Sequence, residues 1–177
     1  ADDTAEISRE HSVRISNSGL LTIAGGKWTT YRKMAEDTVD FAQTLGDLEL
    51  RDCVTKDLNI QGFHMHAERY GRLSAYGSDA PEIERIEKSR DGWTEPVHPG
   101  LDLTVGEVVW FVRTEMARTV DDVLARRSRS LLLDARTARS AAPAVASILA
   151  AELGRRPEWA DGQVAGFREL ASAYVLE

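Results

Sequence analysis

Residues 7–17 alternate loosely between apolar and polar positions. Ile7, Arg9, His11, Val13 and Ile15 share one parity, which predicts a strand with a mixed face. Asn17-Ser18-Gly19 is a turn signal, and Gly19-Leu20-Leu21-Thr22-Ile23-Ala24 supplies the apolar run of a second strand over 20–24. Gly25-Gly26 then lets the backbone bend sharply. A helical pattern starts near Trp28, continues through Met34, Val39 and Phe41, and reaches about Leu45, with Gly46 as its stop. The first segment therefore reads strand, tight turn, strand, Gly-Gly, helix.

From Asp47 to about Gly62 the pattern is irregular, with Leu58-Asn59-Ile60 as its one strand-like stretch. This segment reads as a linker between two units, and beyond it helical patterns dominate. Ala67 to Tyr76 is expected to be a helix stopped by Gly77. Ser78-Asp79-Ala80-Pro81-Glu82 starts the next, with a polar cap and proline in the first turn. Residues 90–103, with Gly92, Pro96, Pro99 and Gly100, are expected to be a loop. Thr104 and Glu107 have capping-box spacing before the apolar Val108, Val109, Phe111 and Val112. Thr119-Val120-Asp121-Asp122 opens a further helix, with Val123 and Leu124 facing inward. Asp134 to Leu153 is alanine-rich and helix-favouring, but Pro143 is expected to break it or to start a new helix. Gly154 stops it. A last helix is expected from Pro157 to Leu176, with Val164, Phe167, Leu170 and Tyr174 as its apolar stripe. The fold class is mainly α: an all-α unit of about five or six helices preceded by a β–β–α element.

Composition narrows the partners. With 42% hydrophobic and 29% charged residues the chain has the make-up of an ordinary globular protein. Its formal charge of −7 makes it a poor general binder of nucleic acid or anionic lipid. Local basic groups can still hold a small phosphate. Cys53 is the only cysteine, so neither an internal disulfide nor a cysteine-based metal cluster can form. No apolar run approaches the roughly 18–20 residues needed to span a bilayer. Residues 1–20 resemble neither a secretory signal nor a transit peptide.

The chemistry concentrates at 25–30. A strand ending in Gly-Gly at the opening of a helix brings unpaired backbone N–H groups and the positive end of a helix dipole to one point. Phosphates, or the electron-rich carbonyl edge of a flavin, are stabilised there. The turn is not a nucleoside-triphosphate P-loop. That pattern needs glycine where Leu21 stands and Ser or Thr where Trp28 stands. The turn also stands too near residue 1 to follow a whole nucleotide-binding domain, so the chain is expected to be a C-terminal piece of a larger enzyme.

The string Gly-Gly-Lys-Trp-Thr-Thr-Tyr-Arg-Lys-Met-Ala-Glu at 25–36 resembles the last strand–helix element of FAD-dependent glycerol-3-phosphate dehydrogenases, and Ser8-Arg9-Glu10-His11 resembles the run just upstream of it. A second stretch is similar to the helical C-terminal domain of the same enzymes: Arg113 to Arg127, then Leu131 to Arg136. Tyr76-Gly77-Ser78 and Ala151-Glu152-Leu153-Gly154 fall in matching order. The resemblance implies a parent that oxidises sn-glycerol 3-phosphate to dihydroxyacetone phosphate, moving a hydride from C2 to flavin N5 and then electrons to a quinone. In the oxidase branch, the related glycerophosphate oxidases, oxygen is the acceptor. A stand-alone helical interaction module is the reading from a different class.

On this resemblance residues 1–46 are the C-terminal end of the FAD-binding domain, 47–62 a linker and 63–177 the all-α C-terminal domain. Gly25, Gly26, Lys27, Trp28, Thr29 and Thr30 match cofactor-binding positions, where fixed dipoles stabilise charge on the reduced flavin. Arg9 and Lys27 match the basic positions of the substrate phosphate pocket. The residues expected to act as base are absent, as are the Gly-rich pyrophosphate loop and most of the substrate domain, so this chain alone is expected to be inactive and not to bind FAD tightly. Its expected partners are the N-terminal FAD and substrate domains, glycerol 3-phosphate and a quinone. The expected location is cytoplasmic, with the parent peripheral on the inner face of a respiratory membrane.

Other candidates have plainer readings. His64 and His66 could face the same way from a strand, but no third ligand is evident and no metal is expected. His11 and His98 read as packing or surface residues, and Asp121-Asp122 as a helix first turn rather than catalytic carboxylates. Arg126, Arg127 and Arg129 leave three readings open: pairing with the FAD domain, pairing with Glu115, or a place at a helix end. Trp93, Trp110 and Trp159 are expected in the core or between helices.

Overall fold

The structure, a computed structural model, describes residues 10–175. The chain divides into two compact units, Ala1–Gln61 and Gly62–Glu177.

In the first unit β1 (His11–Ile15) and β2 (Leu21–Gly25) form an antiparallel hairpin, with His11 opposite Gly25, Val13 opposite Ile23 and Ile15 opposite Leu21. Ile7 and Arg9 lie outside the described residues. The hairpin turn is closed by Ser16, whose carbonyl accepts from the Gly19 amide at 3.0 Å and whose hydroxyl accepts from the Leu20 amide at 3.0 Å. A single 3-10 turn, Trp28–Thr30, leads into α1 (Tyr31–Leu45). Alternation places His11, Val13, Leu21 and Ile23 on the half-buried side of the hairpin. The helix ends at Gly46 as expected, yet the left-handed residue is Asp47 (φ 49), after which the Leu48 amide donates back to the Gln43 carbonyl at 3.0 Å. The expected strand at Leu58–Ile60 does not form. Both apolar side chains are exposed, and without a partner edge three residues gain no ladder of hydrogen bonds. Among the described residues of this unit, no side chain is buried.

The second unit carries the core. Its first segment, Ala67–Asp79, is a run of 3-10 turns interrupted at Gly71 and Gly77, both at φ 53, and not the α-helix that the apolar spacing predicts. α2 (Ala80–Lys88) begins where the Ser78–Glu82 signal puts it, with proline in its first turn. α3 (Val105–Arg113) is buried from Gly106 to Val112 and forms the centre of the core. The capping box at its start forms fully: the Thr104 hydroxyl accepts from the Glu107 amide at 3.1 Å, and the Glu107 carboxylate accepts from the Thr104 amide at 3.0 Å. A π-helical turn follows at Asp122–Arg127, then α4 (Ser130–Leu133), α5 (Ala135–Leu153) and α6 (Pro157–Ser172).

Two expectations fail here for visible reasons. Pro143 neither breaks nor restarts α5, because it lies on the exposed side while Ala138, Ala142, Val145, Ala146 and Leu149 anchor both halves in the core. The ring forfeits one hydrogen bond, to the exposed Arg139, and packing outweighs that loss. The apolar stripe of α6 also differs. Phe167 and Ala171 are buried with Ala160 and Val164 packed beside them, whereas Leu170 and Tyr174 are exposed. Small alanines set this face at the i, i+4, i+7, i+11 spacing that binds α6 to α5.

The core encloses one polar cluster. Arg72 forks between Glu87 and Glu107, and the Tyr76 hydroxyl donates to Glu107 at 2.8 Å. The Thr104 hydroxyl donates to Glu87 at 2.7 Å. Glu87, Thr104 and Glu107 are all buried, so each lone pair that these donors satisfy avoids a desolvation cost. Burial first, and the Glu107 carboxylate second, push the Tyr76 phenol well above its ordinary range, so it stays a donor at any working pH.

Asp122, the first residue of the π-helical turn, ties down the chain that leads into it. Its carboxylate accepts from the Arg118 amide at 2.9 Å and the Thr119 amide at 3.0 Å, while the Thr119 hydroxyl accepts from the Asp122 amide at 3.1 Å. Burial opposes its ionisation, but the hydrogen bonds from Arg118 and Thr119 and the nearby Arg127 charge outweigh this and lower its pKa. A depressed folded value stabilises the fold above the ordinary aspartate pKa of 3.8 and loses that contribution as pH falls through the lower folded value. The expected result is a fall in denaturation midpoint on acidification below about pH 4. An Asp122→Asn chain should show a smaller fall. Equal acid sensitivity in both proteins would remove Asp122 from the account.

Candidate functional site

Gly25 and Gly26 both take positive φ, 82 and 77, at the end of β2. The bend is enforced by the chain itself, since a Cβ on Gly25 would lie 2.7 Å from the Glu10 carbonyl oxygen. Beyond it Thr30 closes a small ring. Its hydroxyl accepts from the Lys27 amide at 3.0 Å and donates to the Lys27 carbonyl at 2.9 Å, and its amide donates to that carbonyl at 2.9 Å. So the Lys27 amide is capped internally. Among the described residues the amides of Trp28 and Thr29 meet no acceptor, as expected for the first positions of a helical turn. The Lys27 ammonium is exposed and pairs with no described carboxylate. Arg9, expected beside it, lies outside the described residues. Trp28 is 86% exposed and stacks on Tyr31 with ring centroids 5.4 Å apart. An indole held at that exposure forfeits most of its burial free energy, as expected for a surface that another part of a protein covers.

Sequence reasoning treats His11 as a packing or surface residue, and the structure gives it a partner. Its Nε2 donates to Asp37 Oδ2 at 2.7 Å, and Lys33 Nζ lies 2.8 Å from Asp37 Oδ1. Hydrogen bonds from Lys33 first and His11 second hold the Asp37 carboxyl below the usual range. These three residues, with Glu10 and Thr30, line a concavity of about 440 Å³ beside the turn. The Lys33–Asp37 spacing along α1 is legible as an i, i+4 pair; the histidine, 26 positions away, carries no local signal.

A larger groove of about 870 Å³ lies in the second unit, lined among others by Arg72, Tyr76, Glu107, Glu115 and Arg127. Its charged groups are mostly engaged with one another. Arg127 donates to the Glu115 and Asp122 carbonyls and has its Nε 3.5 Å from the Glu115 carboxylate, and Arg126 pairs with Asp121 and Asp122. Arg129 is exposed at the start of α4 with φ 56. Of the readings open for this arginine cluster, internal pairing with Glu115 and the helix turn therefore holds for Arg127 and Arg126. These contacts hold the turn in place, while among the described residues the buried Arg127 Nε meets no hydrogen-bond acceptor.

His64 and His66 do not lie on a strand. The His64 Nδ1 accepts from the His66 amide at 3.0 Å and its ring meets the edge of Tyr70, and among the described residues no group of three His, Cys, Asp or Glu is placed to hold a metal. His98 accepts from the Gly100 amide in the loop. Trp110 is buried, while Trp93 and Trp159 are partly buried against the core, with Arg90 and Arg113 over the Trp93 ring. Among the described residues no helix is long and apolar enough to cross a membrane.

The family model for the C-terminal domain of alpha-glycerophosphate oxidase matches residues 20–160. The mitochondrial glycerol-3-phosphate dehydrogenase of Mesocricetus auratus is 34% identical over 98% of this chain, and that of Homo sapiens is 35% identical over 90%. The chain spans about a quarter of the length of these relatives, 26% and 24%. A glycerol-3-phosphate dehydrogenase from Bacillus halodurans, solved in complex with FAD, shares the fold with a TM-score of 0.69 at 23% identity, over 92% of this chain and 36% of that one. A family match over most of the chain, including both the Gly-Gly turn and the buried helices, places it plainly: it belongs to the family of FAD-dependent glycerol-3-phosphate dehydrogenases and alpha-glycerophosphate oxidases, as a C-terminal portion.

Proposed function

We propose that this chain is the C-terminal part of an enzyme that oxidises sn-glycerol 3-phosphate to dihydroxyacetone phosphate with FAD. Residues 1–46 end the FAD-binding domain, 47–62 link, and 63–177 form the helical domain. The observation that carries the reading is the Gly25–Thr30 turn, where two open amides, at Trp28 and Thr29, stand beside a lysine with no carboxylate partner among the described residues. That donor set fits the electron-rich pyrimidine edge of a flavin and a phosphate monoester next to it. FAD, when bound, supplies the hydride acceptor for C2 of the substrate. Gly25 and Gly26 let the backbone approach the ring system. The Trp28 and Thr29 amides, with Thr30 holding the turn closed, would offer fixed dipoles to negative charge at the edge of the bound ring system. Lys27, with Arg9, holds the substrate phosphate: the lysine as a compact charge, the arginine as a fork. A quinone takes the electrons onward, at the inner face of a respiratory membrane.

The name of the matching family model favours a second reading for that last step, with oxygen as acceptor. Peroxide yield from the full-length parent separates the two: stoichiometric peroxide supports the oxidase, its near-absence with rapid quinone reduction the dehydrogenase. For the main reading, mixing this chain with a separately expressed N-terminal part is expected to restore dye reduction that depends on glycerol 3-phosphate. The exposed Trp28–Tyr31 stack is part of the surface such association would cover. Mixtures no more active than the N-terminal part alone would count against the assignment.

A further inference from the structure

We infer that Asp37 is a positioning residue for the phosphate-binding turn, acting through His11. The inference rests on the reading of Lys27 as a substrate-phosphate ligand. Asp37 accepts from two cationic or donor groups at once, His11 Nε2 at 2.7 Å on β1 and Lys33 Nζ at 2.8 Å on its own helix. His11 stands directly opposite Gly25 in the hairpin, at the point where the Gly-Gly bend begins. The preceding residue, Glu10, presents the carbonyl against which Gly25 packs. One carboxylate on α1 therefore fixes the strand end that the turn leans on. Thr30, which closes the turn around Lys27, lines the same concavity as Asp37.

Two features set this pair apart from an ordinary surface ion pair. Both side chains are largely sheltered, at 19% exposure for His11 and 27% for Asp37, so solvent screens the contact less than it would a surface pair. Around them no described residue of this unit is buried. Within this unit taken by itself, the His11–Asp37 contact is a directional polar tie between β1 and α1 beside only half-buried apolar residues. A shift of about 1 Å in the turn would move Lys27 away from the phosphate and weaken binding of substrate and transition state alike.

The test uses the full-length enzyme with bound FAD. Asp37→Leu and His11→Leu are each expected to raise KM for glycerol 3-phosphate about tenfold with kcat changed less than threefold, since loss of uniform binding appears in KM. Asp37→Asn, which keeps an acceptor, and His11→Gln, which keeps a donor at the Nε2 position, should stay within threefold of the parent. The double Leu variant should be no worse than either single one. Flavin content reports folding in every variant. KM values within twofold of the parent for both Leu variants, or flavin loss in the Asn and Gln variants as well, would overturn the proposal. Lys27→Met in the same assay separates the layers: if it raises KM while the Leu variants do not, the positioning role falls and the phosphate reading stands. If Lys27→Met also leaves KM unchanged, the phosphate reading falls too.

Discussion

Replacing Gly77 with alanine is expected to destabilise the chain by about 3–5 kcal/mol, enough to abolish most of the cooperative transition of an ordinary domain. Two costs combine. Gly77 sits at φ 53, ψ −119, a region closed to residues with a Cβ, and an added Cβ would stand 1.8 Å from the Gly62 carbonyl oxygen. That carbonyl is itself held by the Ser78 amide at 3.1 Å, so it cannot retreat without breaking a bond at the start of α2. Gly71 provides the internal control, with φ 53, ψ −118 and nothing within 4 Å of the point where a methyl would stand. Gly71→Ala should show the conformational strain alone, about 1–3 kcal/mol. Denaturant titration followed by intrinsic tryptophan emission, to which buried Trp110 contributes, measures both. Equal midpoints for the two variants would show that the close approach to Gly62 does not matter.

The largest functional effect is expected at Lys27. In the full-length enzyme Lys27→Met should lower kcat/KM for glycerol 3-phosphate by roughly 10²–10³-fold, chiefly through KM, with flavin content retained. Methionine keeps the length of the side chain and removes the charge. Among the described residues the ammonium has no carboxylate partner whose loss would disturb the fold. Raising ionic strength should weaken substrate binding in the parent more than in the variant. A variant within threefold of the parent would leave the turn without its assigned ligand role.

The parts of the fold legible in the sequence are those with local signals. The hairpin follows from alternation and Asn17-Ser18-Gly19, α1 from its apolar period, and the start of α3 from Thr104 and Glu107, which need only one another. The errors fall where distant atoms decide. Ala67–Tyr76 has helical spacing, but Gly71 and Gly77 leave the helical region, and at Gly77 the approach of Gly62 decides it. Pro143 survives inside α5 because the opposite face is buried, which no local rule sees. Leu170 and Tyr174 fit a stripe by period, and alanines displace them because α5 comes close. At the candidate site the Gly-Gly bend and the open helix start are readable from residue type. Arg72 bridging Glu87 and Glu107, and His11 reaching Asp37, join residues 15 to 35 positions apart and leave no periodic trace.

Every buried side chain among the described residues follows position 61. In this chain taken by itself apolar burial therefore lies in the C-terminal unit, and the hairpin with α1 is expected to exchange through local opening. In hydrogen exchange the two parts would behave as separate clocks: the N-terminal amides fast and set by local openings, the α3 and α5 amides slow and set by global unfolding.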